Sequence, residues 1–131
     1  MKIQFNKILD SGSEENERLL FTALESCDLG NFIVTLAKKV GDHRVSSHLE
    51  NVKWLDDVEL KPQDIVVIYT KRKGEGVKTI QNEGGQTSYF LFWNLDSTLR
   101  PDYSVVCFEA SWKSIDVSEV IKKATDNSEG D

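Results

Sequence analysis

The chain is short of the residues that most often announce chemistry. It has two cysteines, two histidines and two prolines in 131 residues. Cys27 and Cys107 lie far apart and form no CxxC pair, and neither stands beside an activating histidine. The common zinc and dithiol signatures are therefore absent, and the expectation is two buried thiols, with a disulfide between them as the lesser alternative. No apolar run approaches the roughly 18 residues that would suggest a membrane span. The opening MKIQFNKILDSG alternates after its early lysine. It lacks the apolar stretch and small-residue cleavage site of a signal peptide, so a cytoplasmic location without membrane association is expected. Basic residues are outnumbered, 16 Lys and Arg against 22 Asp and Glu, for a formal charge of −6. An acidic balance disfavours a broad nucleic-acid surface, which needs a positive field.

Ready-made catalytic arrangements are lacking too. His43 and His48 are five residues apart in GDHRVSSH, a spacing that aligns them on neither a strand nor a helix. Asp42 is close, but no third and fourth ligand follow, so the expectation is solvent-exposed loop histidines and no metal. Ser46 and Ser47 have no Gly-x-Ser-x-Gly context to make either a nucleophile. Asp56 and Asp57 are adjacent with Glu59 near; consecutive strand residues diverge, and a solvated turn is the plain reading. No cofactor motif is present. A small hydrolase is the least supported function.

What the sequence does have is alternation. In KIQFNKI, Ile3 and Phe5 share a face opposite Lys2, Gln4 and Asn6, the pattern of a half-buried strand. NFIVTLA places Phe32, Val34 and Leu36 on one face and Ile33, Thr35 and Ala37 on the other. DIVVIYT, SYFLFWN and YSVVCFEA are further β-branched and aromatic runs of strand length. Pro62 precedes the first of them, where no ladder donor is lost. ENERLLFTALESCD reads two ways: as a helix through Leu20, Ala23, Leu24 and Cys27, or as a strand from Arg18 to Leu24 with Leu19, Phe21 and Ala23 together. Near the end, Asp116 and Glu119 form a capping-box pattern ahead of Val117, Val120, Ile121 and Ala124. These residues predict a short C-terminal helix over 113–125, on or beside the strands, with a disordered tail at 126–131. Trp54 and Trp112 are expected to pack in the core or at its edge.

Two stretches are candidate contact surfaces. TKRKGEGVKTIQNEGGQTSY holds Lys71, Arg72, Lys73 and Lys78, the one concentration of positive charge. Its glycines miss the Walker spacing, and Glu75 would sit against a phosphate. The stretch is better read as a long connection that includes a short strand VKTI; connections of this length are often functional. Nucleic-acid binding through 71–78 is the alternative function it suggests. In SYFLFWN, Tyr89, Leu91 and Trp93 share one face, and Phe90 and Phe92 the other. A strand with two apolar faces is either covered by its own chain or meets a partner. Tyr89, Phe90, Phe92 and Trp93 are thus the candidate partner-binding residues.

The order of these pieces resembles the lamin-tail domain. Asp28-Leu29-Gly30 precedes one strand, Leu60-Lys61-Pro62 precedes another, and Trp93 stands ahead of the last run. Where that family often has tryptophan after its Asp-Leu-small motif, this chain has Phe32; where it often has Leu-Lys-Pro-Gly, this chain has Gln63. The resemblance spans roughly residues 1–112. It implies an immunoglobulin-like β-sandwich, a strand at ERLLFTAL, and a non-catalytic module that binds a protein partner or self-associates. Taken together, the expectation is one all-β sandwich domain over 1–112 with a short C-terminal helix, requiring no cofactor.

Overall fold

A computed structural model describes residues 1–111 and 114–118. The described chain is an all-β sandwich, as its alternation predicts. Its larger layer has five strands in the order β1-β2-β7-β9-β8, and its smaller layer has three in the order β10-β4-β5. The strands are β1 (Ile3–Leu9), β2 (Arg18–Ala23), β3 (Cys27–Asp28), β4 (Phe32–Gly41), β5 (Arg44–Trp54), β6 (Glu59–Leu60), β7 (Ile65–Tyr69), β8 (Lys78–Gln81), β9 (Thr87–Phe92) and β10 (Tyr103–Glu109). The core lies between the layers. Ile3, Leu19, Phe21, Val66, Ile68 and Leu91 come from the larger sheet and meet Phe32 and Val34 of the smaller one.

The ambiguous segment resolves as strand β2. Leu19, Phe21 and Ala23 point inward and are fully or almost fully buried. Its helical stripe is a coincidence of composition, overridden by pairing with β1 on one side and β7 on the other. Along β1 a bulge between Phe5 and Lys7 inserts one residue. The insertion keeps Ile8 on the same face as Ile3 and Phe5, which strict alternation would not.

One pairing departs from the antiparallel plan of an immunoglobulin-type sandwich: β7 and β9 run parallel, with Val67 opposite Phe90 and Tyr69 opposite Phe92. Parallel strands are typically covered on both faces and read as continuous apolar runs, which describes IVVIY and TSYFLF. The stretch TKRKGEGVKTIQNEGGQ is the crossover this pairing requires. It carries β8, the short strand expected at VKTI, which folds back antiparallel onto β9. The element after Gly76 is this strand and not a helix, so nothing there resembles a phosphate cradle.

The histidine segment is a hairpin rather than a loop. His43 sits in the turn between β4 and β5 with φ +56°, and His48 lies within β5; both are exposed. Trp54 is half exposed, on the outside of the smaller sheet rather than in the core. Cys27 and Cys107 are free thiols, half-buried rather than fully buried. The expected helix over 113–125, Trp112 and the tail at 126–131 lie mostly or wholly outside the described residues. Within them, Val117 and Ser118 are helical, and Asp116 Oδ1 accepts from the Ser118 N–H at 2.9 Å.

The segments carrying the lamin-tail resemblance have physical roles. Asp28 Oδ1 accepts from Gly30 N–H at 2.8 Å and caps the short 3₁₀ turn Leu29–Asn31. Gly30 has no room for a side chain: a Cβ there would lie 1.9 Å from Asp57 Oδ1. Its carbonyl accepts from Trp54 Nε1 at 2.5 Å. Lys61 to Asp64 form a turn closed by Asp64 N–H to Lys61 O at 3.0 Å, with Gln63 at φ +79°. A turn with proline second and positive φ third favours glycine at the third place. Gln63→Gly is expected to stabilise the fold by about 0.5–1 kcal/mol, the relief of left-handed strain less the entropy glycine loses. A melting temperature that falls would refute this.

Candidate functional site

The sequence-predicted contact residues are brought to one sheet but not to one surface. Leu91 and Trp93 point into the core and are buried; Tyr89 packs beside them, half-buried. Phe90 and Phe92 point to the other face, where Phe92 is buried and Phe90 half-buried. Tyr69 lies over both, its ring centroid 6.5 Å from Phe90 and 5.7 Å from Phe92, near-parallel to each. The basic crossover then folds across this ladder. A Cβ on Gly74 would come within 2.6 Å of the Phe92 ring, so only glycine lets the backbone approach so closely. The second apolar face of SYFLFWN is therefore largely covered by its own chain. Trp93 and Phe92 are packing residues, and Phe90 is the one that keeps partial exposure on that side.

The same covering accounts for the basic residues. Lys71 Nζ bonds Glu14 Oε1 at 2.7 Å, and the ammonium holds the Glu14 carboxyl below its ordinary pKa. Lys73 Nζ donates to the Asn94 and Leu95 carbonyls at 3.1 and 2.8 Å. Arg72 stands 5.0 Å from the Tyr69 ring centroid and Lys78 5.9 Å from that of Phe92, both at cation–π distance. The charges at 71–78 thus pin a crossover to an aromatic ladder. They do not converge on a groove.

Among the described residues two further surfaces carry large, partly exposed apolar side chains, and neither was singled out from the sequence. The first is the outer face of the smaller sheet. Register places Phe108, Ile33 and Trp54 in one row across β10, β4 and β5. Val106, Val52 and Leu49 extend the same face. Trp54 is 50% exposed, Val52 56% and Phe108 43%. A bulge at Asn51, with φ +52°, turns Val52 outward. Thr35 and Ala37 fill the middle of this face, wholly buried beneath larger neighbours. The sequence signal was the second apolar face of NFIVTLA together with the bulky residues of YSVVCFEA.

The second open surface is a cleft of about 580 Å³ between the sheets, beside β1 and β10. Both are edge strands. The smaller sheet ends at β10 and does not reach over β1. Phe5 and Ile8 consequently face inward yet remain 50% and 41% exposed. Phe5 meets Phe21 edge-on, with centroids 5.6 Å apart. The opposite wall is Leu36, Val105 and Cys107, and Leu99, Arg100 and Pro101 close one end. At the other end the Lys2 N–H reaches Glu109 Oε2 at 3.2 Å, joining β1 to β10. Burial, with Glu109 adding to it, pushes the Cys107 thiol up to about 11, so it is protonated and a weak nucleophile at neutral pH.

Among the described residues no three His, Cys, Asp or Glu side chains gather as a metal site. His43, Ser46 and Ser47 sit on or near an exposed hairpin turn, and the Ser46 hydroxyl accepts from the His48 backbone N–H at 3.0 Å. No helix of the described residues is long and apolar enough to cross a membrane. No protein-family model matches the sequence, and no curated protein or solved structure is detectably similar to it.

Proposed function

We propose that this chain is a non-catalytic interaction module that self-associates through the outer face of its three-stranded sheet. The carrying observation is the partly exposed apolar row Phe108–Ile33–Trp54 on the outer face, with Val106, Val52 and Leu49 beside it. Exposed apolar faces of this kind mark contact sites, and aromatic anchors supply most of the binding energy. The lamin-tail resemblance, which implies a module of this type, supports the same reading. A second copy is the fitting occupant because an apolar face is complementary to itself about a two-fold axis. Strand spacing and rise make the face roughly 15 by 20 Å. That is less than the roughly 800 Å² per partner of a standard interface, so the association is weak and concentration-dependent.

Sedimentation equilibrium over a rising concentration series tests this reading. A monomer–dimer equilibrium is expected, shifted to monomer by Trp54→Asp and by Phe108→Asp, whereas Phe90→Asp on the other sheet leaves it unchanged. A protein that remains monomeric throughout the series, or a dimer indifferent to Trp54 and Phe108, would rule it out.

A further inference from the structure

The cleft between β1 and β10 is a separate surface from the proposed self-association face, and its chemistry is different. Its walls are apolar and reach the core: Leu19 and Phe21, both buried, lie at its base. Its size falls within the range of small-ligand sites, which are mostly apolar with a few placed polar groups. Those groups are at one end. Lys39 and Arg100 both line the cleft. Neither forms an ion pair with a carboxylate among the described residues, where the salt bridges join Arg18 to Asp10, Lys53 to Asp56, Lys71 to Glu14 and Lys73 to Asp96. The Arg100 guanidinium is held 4.3 Å from the Tyr103 ring centroid, which fixes its position at the mouth. The nearby Glu50 carboxylate is engaged with the Tyr103 hydroxyl, whose pKa it pushes up.

We propose that this cleft binds a small anionic amphiphile, its apolar chain lying against Phe5, Ile8, Leu36 and Val105 and its carboxylate meeting Arg100 and Lys39. The arrangement supplies both halves of such a ligand. The chain covers inward-facing side chains that the smaller sheet leaves wet, which is where burial gains most. The head group gains charge-assisted hydrogen bonds from an arginine already oriented by stacking. A cationic amphiphile of equal length would bury the same surface but place like charges together.

Sodium dodecanoate below its micelle concentration is the probe, with dodecylammonium as the control. Dodecanoate is expected to raise the melting temperature by about 3 °C or more at saturating ligand. It should also slow iodoacetamide alkylation of Cys107, which lines the cleft, without slowing that of Cys27, which lies outside it. Lys39→Ala with Arg100→Ala, both at exposed positions, should weaken binding by about tenfold or more, and Val105→Trp should fill the cleft and abolish it. Equal binding of dodecylammonium, unprotected Cys107, or affinity unchanged in the Lys39/Arg100 variant would overturn the proposal. So would a peptide of alternating leucine and glutamate that protects Cys107 where dodecanoate does not, since the cleft would then belong to an added strand.

Discussion

Replacing Glu17 by alanine is expected to destabilise the fold by about 3–5 kcal/mol, a large share of the 5–15 kcal/mol typical of a domain. Glu17 is almost fully buried and has no ion-pair partner among the described residues; the adjacent Arg18 pairs with Asp10. Its carboxylate acts as a hub. Oε2 accepts from Gly12 N–H at 2.7 Å, while Oε1 accepts from the Thr70 hydroxyl at 2.6 Å and from Leu99 N–H at 2.8 Å. These bonds tie the turn before β2 to the end of β7 and to the segment leading into β10. Alanine would leave the Gly12 and Leu99 N–H groups without this acceptor and the Thr70 hydroxyl with only its longer bond to the residue-17 carbonyl, 3.3 Å; hydrogen bonds to a charged group contribute about 1.5–3 kcal/mol each. Glu17→Gln should cost less, about 1–2 kcal/mol, because one oxygen remains while the new amide faces the Gly12 donor. Urea unfolding curves read both effects, and an alanine variant within 1 kcal/mol of the parent would contradict this account.

The second large effect is expected at Trp93. Its indole is buried, and Nε1 donates to the Asn51 carbonyl of β5 at 2.7 Å. Its backbone N–H bonds the Tyr69 carbonyl at 2.9 Å. The side chain therefore joins the two sheets at the bulge that turns Val52 outward. Trp93→Ala should cost about 3–5 kcal/mol, the loss of a large core side chain plus the cavity it leaves. Trp93→Phe should cost about 1–2 kcal/mol, since the ring is partly replaced and the hydrogen bond is not. Because the bulge lies under the proposed contact face, Trp93→Phe should also weaken self-association without abolishing folding. Equal stability of the phenylalanine and alanine variants would show that filling the space between the sheets contributes nothing.

The limits of the sequence are visible at particular residues. Alternation correctly grouped Ile3 with Phe5 in β1 and Phe32, Val34 and Leu36 in β4, because a period of two fixes which side chains share a face. It could not decide strand against helix at ERLLFTAL, where both periods fit; pairing on both sides with β1 and β7 decided it. The two apolar faces of SYFLFWN were legible, and so was the choice they posed. That the cover is the chain's own basic crossover was not, since cation–π and ladder contacts join residues whose meeting depends on a parallel pairing. Glu17 was invisible among the charges of SEENER, because nothing local shows that distant donors converge on one carboxylate.

By itself the sequence determined an all-β sandwich and the faces of most strands. Tertiary structure alone decided which apolar faces stay wet. Phe5 alternates with Ile3 as a core residue should and Ile8 joins that face through the bulge, yet both border an open cleft because the opposing sheet does not reach over β1. Phe108 and Trp54 share an exposed row because strands separated in sequence align across β4. Periodicity is a local property set by backbone geometry, whereas exposure depends on what packs above a residue, and that is fixed only when distant strands find their register.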